Sequence, residues 1–513
     1  MRRFQRAGFA SQAGALLAGA MLPLSLAPFD WWPVAIVSPA LLLLSLTHGS
    51  ASAAAWRGWL FGLGMWGTGA SWVYVSIHTY GAAPVPLAAA LTLLFCMGLA
   101  LFQAFTFGAW ARWLRPRHGG LLLGFPAAWV LGEWLREWFL TGFPWLYIGY
   151  SQLDGPLAGW APVSGVLGIG LILALSAATL VAWVMSPEGR GAHQARARRL
   201  ALGVVAGLWL LAWPLGRIEW TQAAGEPRSV AMVQGNIPQL LKWDPEHLEN
   251  TLAVYASMSE PLWGADIVVW PESSVPAYFD LVREFLGTQA AAAAAKGSTL
   301  ILGLPMREDE PGTRRGYVAR NSVISLGPEP GVYHKRHLVP FGEYVPLEGV
   351  LRGLIAFFDL PMSSFSGGPA GQPPLRADGI PIAPSICYEV VYPELVRAGA
   401  TEAGLLLTVS NDTWFGASIG PLQHLQMARM RALENGRALI RATNDGVSAL
   451  VDHQGRLIVR GGQFSREVIR GEVQPREGRT PWSWVGAWPV LALCLLMLFP
   501  ALARSGPPRG EDG

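Results

Sequence analysis

Charge is scarce in this chain. Asp, Glu, Lys and Arg make up 14% of its 513 residues, against about a quarter in an average soluble domain. A polar surface along the whole length is therefore excluded. Lysine is nearly absent: among 38 Lys and Arg, only Lys242, Lys296 and Lys335 are lysines. Cysteine is scarcer still, with Cys96, Cys387 and Cys494 alone. Cys96 and Cys494 lie in long apolar runs, so the polar region has a single thiol and no disulfide framework. The net charge of +3 leaves no electrostatic footprint for nucleic acid. The chain has no internal repeat, no phosphate-cradling glycine motif and no metal-ligand spacing. His334 and His337 flank Lys335, but a pair without a third ligand fits local hydrogen bonding better than a metal.

What the chain has in abundance is apolar sequence, and its mean hydropathy is +0.32. A helix needs about 20 apolar residues to cross a bilayer. Candidate spans cover 9–27, 31–47, 57–78, 84–111, 120–139, 162–185, 200–216 and 483–504. Trp31, Trp32, Trp56, Trp72, Trp113, Trp145 and Trp160 fall near span ends, as an interfacial aromatic belt requires. Arg2, Arg3 and Arg6 precede the first span, and Arg57 opens the third. Arg112, Arg115 and Arg117 join the fourth and fifth, and Arg190, Arg196, Arg198 and Arg199 join the sixth and seventh. The alternate loops near 28–30, 79–83 and 140–161 contain no Lys or Arg. The positive-inside rule then puts both termini in the cytoplasm and residues 217–482 outside. The Arg-rich start also fits a cleaved signal peptide, which would leave that topology intact. The expected domains are 1–216 in the membrane, 217–482 outside, and 483–513 as a closing span with a tail.

Residues 217–482 hold most of the Asp, Glu and His. Short β-branched runs at 229–236, 266–272, 298–305, 321–326, 380–389, 405–412 and 438–445 read as buried strands. Helical patterns lie between some of them, Ala-rich at 282–296 and amphipathic at 421–437. In the second, Leu425, Ala428, Met430 and Leu433 share a face, with Arg429, Arg431 and Glu434 elsewhere. Strands alternating with helices predict a layered α/β domain. Three of its motifs carry reactive groups: Trp270-Pro271-Glu272, Tyr333-His334-Lys335-Arg336-His337 and Ile386-Cys387-Tyr388-Glu389. Glu272 closes an apolar run, so partial desolvation suits it to take a proton. Lys335 offers a compact cation to an oxyanion. Cys387 offers a nucleophile once a base removes its proton. Each residue alone is more often a surface charge or a buried small side chain; together they suit acyl transfer.

The chain resembles the apolipoprotein N-acyltransferases, the membrane-bound branch of the nitrilase superfamily. The resemblance runs through Ser71-Trp72-Val73-Tyr74-Val75-Ser76-Ile77, Thr141-Gly142-Phe143-Pro144-Trp145-Leu146, Val233-Gln234-Gly235-Asn236-Ile237-Pro238 and Trp270-Pro271-Glu272. It continues through His337-Leu338-Val339-Pro340-Phe341-Gly342-Glu343-Tyr344-Val345-Pro346, Ile386-Cys387-Tyr388-Glu389, Ser410-Asn411-Asp412-Thr413-Trp414-Phe415-Gly416 and Met427-Ala428-Arg429. It implies eight transmembrane helices carrying an extracytoplasmic α/β nitrilase-like α-β-β-α sandwich in the bacterial inner membrane. It implies Glu272 as general base, Lys335 as oxyanion stabiliser and Cys387 as nucleophile, with no metal or cofactor. Glu343, Tyr388 and Glu389 match further required positions. Trp243 matches a substrate-contacting aromatic, and Trp414 and Phe415 are taken with it. The implied partners are a phospholipid acyl donor, a diacylglyceryl-apolipoprotein acceptor and the bilayer, for a monomer. Where nitrilase relatives often read Tyr-Asn-Ser, this chain reads Arg320-Asn321-Ser322, and Arg320 has no assigned role.

The apolar stretch 351–365 follows directly on the Lys335 motif, and it is expected to be a lid that guides acyl chains. Two other readings stay open at this point. A membrane-tethered amidase would use the same triad without needing seven leading spans. A transporter would place ionisable groups in mid-membrane, where this chain has only Glu133, Arg136 and Glu137 as exceptions.

Overall fold

The computed structural model describes residues 2–117, 119–185, 192–313, 316–346 and 364–502. Of the expected lid, only Ser364 and Phe365 fall among the described residues. The chain divides into two compact units. One comprises Met1–Ser71, Leu93–Ile218 and Ala487–Gly513; the other comprises Trp72–Thr92 and Glu219–Gly486.

The first unit is helical. Helices Arg2–Met21, Val34–Leu46, Ala51–Gly69, Phe125–Trp138, Ala161–Val184, Ala192–Leu215 and Trp488–Leu502 lie in it, with most of Val85–Ala109. Arg2–Met21 and Ala51–Gly69 approach backbone to backbone. A Cβ on Gly19 would stand 1.9 Å from the Phe61 carbonyl oxygen, and one on Gly64 would stand 2.2 Å from that of Leu16. Small residues at facing positions are how apolar helices gain contact where no water drives them together. Among the described residues, Val85–Leu114, Ala158–Val184 and Gln194–Leu215 are long and apolar enough to cross a membrane; Val34–Leu46 and Trp488–Pro500 are shorter. Ala158–Val184 is enclosed by its neighbours. The other two long helices expose Leu94, Leu101, Phe105, Leu200, Leu210 and Trp213, an apolar surface that water would not tolerate over such an area.

The second unit is built on two six-stranded sheets and a small ribbon. Its strands are β1 (Thr221–Ala223), β2 (Arg228–Gln234), β3 (Ile267–Val269), β4 (Thr299–Asp309), β5 (Tyr317–Leu326), β6 (Gly331–His334) and β7 (Leu375–Ala377). Then come β8 (Ile380–Ile386), β9 (Leu405–Ser410), β10 (Ala438–Thr443), β11 (Ala449–Val451), β12 (Leu457–Arg460), β13 (Glu467–Val473) and β14 (Arg476–Gly478). The first sheet has the order β13-β2-β3-β4-β5-β6, the second β12-β11-β10-β9-β8-β7, and β1 pairs with β14. Each large sheet has a parallel centre, β2-β3-β4 in one and β8-β9-β10 in the other, with antiparallel strands outside it.

Alternation along β2 shows how the sequence builds the layers. Val230 and Met232 enter a core shared with Ile386, Leu407, Val409 and Ile440 of the second sheet. Ala231 and Val233 point the other way, into a core with Tyr255 of helix Leu248–Ser259 and Leu286 of helix Arg283–Ala294. Helices Pro393–Ala400 and Gly420–Asn435 cover the outer side of the second sheet. The result is an α-β-β-α sandwich.

Candidate active site

Each reactive side chain arrives just past the end of a strand. β3 stops at Val269, three residues before Glu272, where the sequence pattern had extended the strand through the carboxylate. The turn that follows lies against Gly303 of β4. A Cβ there would stand 2.7 Å from the Ser273 nitrogen and 2.8 Å from the Glu272 Cα. The Gly303 carbonyl accepts from the Val275 N–H at 3.3 Å and the Ser274 hydroxyl at 3.1 Å.

Glu272 is buried, at 5% exposure. Its Oε1 accepts from Asn321 Nδ2 at 2.8 Å and lies 3.4 Å from Lys335 Nζ. Its Oε2 accepts from the Asn411 N–H at 2.9 Å. Its main-chain carbonyl accepts from Lys242 Nζ at 3.1 Å. Lys335 follows β6 and is 1% exposed. Its Nζ donates to Glu343 Oε1 at 2.9 Å, which Asn321 Nδ2 also reaches at 2.9 Å. Glu343 Oε2 accepts from the Val339 N–H at 2.8 Å. Burial alone would lower the Lys335 pKa, but Glu343 and Glu272 outweigh it and raise it. The ammonium form is therefore the resident one.

Cys387 follows β8, which ends at Ile386; residues Cys387–Val391 turn into a short 3-10 helix. The sequence pattern carried this strand to residue 389. The break comes from the backbone at Cys387, where φ is +51°, a left-handed conformation that residues with a Cβ rarely adopt. Burial pushes the thiol up, Glu272 adds to this and Lys335 opposes it, for a net rise. The sulfur therefore rests protonated.

Glu389 joins the Cys387 turn to the Lys335 loop. Its Oε2 accepts from the Ile386 N–H at 2.8 Å. Its Oε1 accepts from the Arg336 N–H at 2.7 Å and the His337 N–H at 3.2 Å. The Tyr333 hydroxyl lies 3.1 and 3.2 Å from the two oxygens. One buried carboxylate thus grips the residue before the thiol and the residues after the ammonium.

The remaining expected residues divide between two places. Trp243 and Trp414 pack with Tyr278, Leu338, Ala319 and Phe365 in one apolar cluster. Phe365 also donates its N–H to the Glu343 carbonyl at 2.9 Å. Phe415 packs instead on Trp72, with ring centroids 4.5 Å apart, and near the His424 ring at 5.8 Å. Tyr388 meets Tyr392 edge-on at 5.2 Å. His334 pairs with Glu308 at 2.7 Å and with the Ser322 hydroxyl at 2.8 Å, and the His337 ring lies 3.8 Å from that of Tyr392. Arg320 bonds Glu308 at 2.7 Å and the Gly367 carbonyl.

Sequence reasoning missed several partners. Asn321 touches both Glu272 and Glu343; its place in Arg320-Asn321-Ser322 was the available clue. Lys242 showed no role in the sequence, yet it is 1% exposed and bonded to the Glu272 carbonyl. Its position beside Trp243 was the clue there.

A buried carboxylate, an ammonium and a protonated thiol at the strand ends of an α-β-β-α sandwich define the carbon–nitrogen hydrolase class. The carbon-nitrogen hydrolase family model matches residues 229–480, and that of the apolipoprotein N-acyltransferase N-terminal domain matches residues 18–179. An apolipoprotein N-acyltransferase of Pseudomonas paraeruginosa is 50% identical over 513 residues, covering 99% of each chain. One of Coxiella burnetii is 41% identical over 486 residues, covering 94% of this chain and 98% of that one. A solved carbon-nitrogen hydrolase of Helicobacter pylori aligns with 53% of this chain and 92% of its own, at 17% identity and a TM-score of 0.36. The chain belongs to the apolipoprotein N-acyltransferase family.

Proposed function

We propose that this protein transfers a fatty acyl chain from a membrane phospholipid to the α-amino group of the S-diacylglyceryl-cysteine that begins an apolipoprotein. N-acylation of lipoproteins follows from full-length identity to the family. The site residues supply the steps. Glu272 takes the Cys387 proton, and the sulfur attacks the ester carbonyl carbon. Lys335 and the N–H after Cys387 hold the resulting oxyanion. The ester C–O bond breaks, Glu272 returns the proton to the departing alkoxide, and a lysophospholipid leaves. The enzyme keeps the acyl group as a thioester. The lipoprotein amine then attacks that carbon, Glu272 takes the amine proton, the C–S bond breaks and the thiolate is reprotonated. The order is ping-pong. Thioester to amide is downhill, so these residues need no cofactor or ATP. A single chain carries them all.

The observation that supports this reading is the Glu389 grip, which ties the residue before Cys387 to the residue after Lys335. Trp243, Trp414 and Phe365 supply an apolar surface suited to an acyl chain. We further place the protein in the bacterial inner membrane with eight spans. Residues 1–216 form the membrane domain, 217–482 a periplasmic catalytic domain, and 483–513 the last span and tail. The alternation of Arg-bearing and Arg-free loops supports this, as do the apolar helices.

The deciding experiment supplies phospholipid without acceptor. Intact mass should rise by one fatty acyl group on Cys387, removable by neutral hydroxylamine. Cys387→Ala should show no adduct and no turnover, while Cys96→Ala and Cys494→Ala keep both. A fully active Cys387→Ala enzyme would end the covalent mechanism.

A further inference from the structure

Behind Cys387 lies a second buried polar constellation that the proposed steps do not use. Ser410, Asp412, His424 and Arg441 are each 2% exposed or less. His424, on helix Gly420–Asn435, places Nε2 3.1 Å from the Cys387 carbonyl oxygen. A carbonyl oxygen only accepts, so Nε2 carries the proton. The other ring nitrogen lies 3.0 Å from Asp412 Oδ1 and 3.1 Å from Arg441 Nη2. Arg441 Nη2 donates to Asp412 Oδ2 at 2.6 Å, and the Ser410 hydroxyl donates to Asp412 Oδ1 at 2.6 Å. Burial would raise the Asp412 carboxyl, but Arg441 holds it well below the usual range. Burial and Arg441 push His424 down, so the ring is neutral.

Charges are expensive to bury, even as a pair. Here a buried Arg–Asp pair fixes one imidazole, and that imidazole reaches the main chain of the thiol-bearing residue. The backbone of Cys387 needs such a hold, since a left-handed residue with a side chain persists only where its surroundings over-determine it. Glu389 secures the peptide before Ile386 through the Ile386 N–H, and His424 secures the peptide after Cys387. That second peptide is planar, so gripping its carbonyl also sets the direction of the Tyr388 N–H.

We propose that His424 is a positioning residue for the acyl transfer: by holding the Cys387 carbonyl it aims both the sulfur and the following N–H at the acyl carbon. The proposal rests on Cys387 being the acyl acceptor.

Two polar substitutions separate the contact to Cys387 from the packing around the ring. Asparagine reaches as far as the His Nδ1 position and can still meet Asp412, but it falls short of the Cys387 carbonyl. Glutamine carries an amide N–H to about the position of Nε2. With phospholipid as donor, thioester formation in a single turnover should slow roughly 10-fold or more in His424→Asn. It should stay within about 3-fold of wild type in His424→Gln. The loss should appear in kcat with the KM for phospholipid unchanged, at matched folded fraction and Tm. Should His424→Asn not fold, His424→Phe, which keeps a ring in place but has no N–H for the Cys387 carbonyl, takes its place with the same expectation. Wild-type acylation in the Asn variant, or equal slowing in both, overturns the positioning role. Absence of any adduct on wild-type Cys387 would instead overturn the nucleophile on which the proposal rests.

Discussion

Lys335 is enclosed so tightly that charge alone does not define it. Its Nζ sits between Glu343 at 2.9 Å and Glu272 at 3.4 Å, and the residue is 1% exposed. A guanidinium is planar and larger, and presents its donors in a fixed fork. Lys335→Arg should therefore lose activity on the order of 10²-fold or more, as removal of an oxyanion donor does. Near-normal turnover of the Arg variant, measured with phospholipid and a diacylglyceryl-cysteine peptide, would show that only the ion pair mattered. Asp445 provides a different test, read in stability. Burial pushes its carboxyl up to about 6 from 3.8, against the bond from Thr413 that pulls it down. Between those values the folded protein binds the proton more tightly than the unfolded chain, so stability falls as pH rises through that window. The penalty at pH 7 is on the order of 3 kcal/mol. Asp445→Asn removes the titration. Its Tm should match that of wild type near pH 4 and exceed it increasingly towards pH 7. A gap that stays constant across that range would show that Asp445 does not titrate there.

Among the elements, the turn after β3 places Glu272, and Gly303 of β4 makes room for it. A Cβ at 303 would meet backbone atoms of Pro271, Glu272 and Ser273 within 2.8 Å, and backbone cannot swing aside as a flexible side chain can. Gly303→Ala should cost about 1–3 kcal/mol of stability as overpacking. It should also displace Glu272 enough to slow acyl-enzyme formation on the order of 10²-fold. Activity per folded molecule equal to wild type would show that the turn yields without moving the carboxylate. This element also marks how far the sequence could be read. The apolar runs announced the buried strands, because a strand covered on both faces is apolar throughout. They overshot at Glu272 and Cys387, where turn geometry rather than composition ends the strand. Helix Gly420–Asn435 failed in the other direction. Amphipathic periodicity set Arg431 and Glu434 apart from its apolar face, yet both are fully buried and paired at 3.0 Å. A charge satisfied inside looks, in sequence, the same as a charge in water. Glu272, Lys335 and Cys387 stood out because each sits in its own short motif. Asn321, Asp412, His424 and Arg441 are joined to the site by contacts between distant segments, which spacing along the chain does not encode.

For the whole molecule, the open matter is which side of the membrane the catalytic unit faces. Two independent lines bear on it. The segment Trp72–Thr92 runs from the end of the third candidate span through the loop 79–83 into the fourth, and by its contacts it belongs with the catalytic unit. The Ser76 hydroxyl donates to the Trp414 carbonyl at 2.8 Å, the Tyr80 ring lies 5.5 Å from that of Trp414, and Trp72 packs on Phe415. The loop at 79–83 and residues 217–482 therefore share a side. Charge then says which. That loop has no Lys or Arg, whereas the next connection carries Arg112, Arg115 and Arg117. Basic residues in short loops stay on the cytoplasmic face, which supports the proposed placement of 79–83, and of the catalytic unit with it, outside. A reporter active only outside the cytoplasm should be active when fused after residue 300 and silent when fused after Arg117. The opposite pair of results would invert the topology and place the thioester chemistry on the cytoplasmic face. Activity at both fusions would break the link between the third and fourth spans, and with it the eight-span count. Only the expected pair leaves Cys387 on the face where a lipoprotein amine emerges from the membrane.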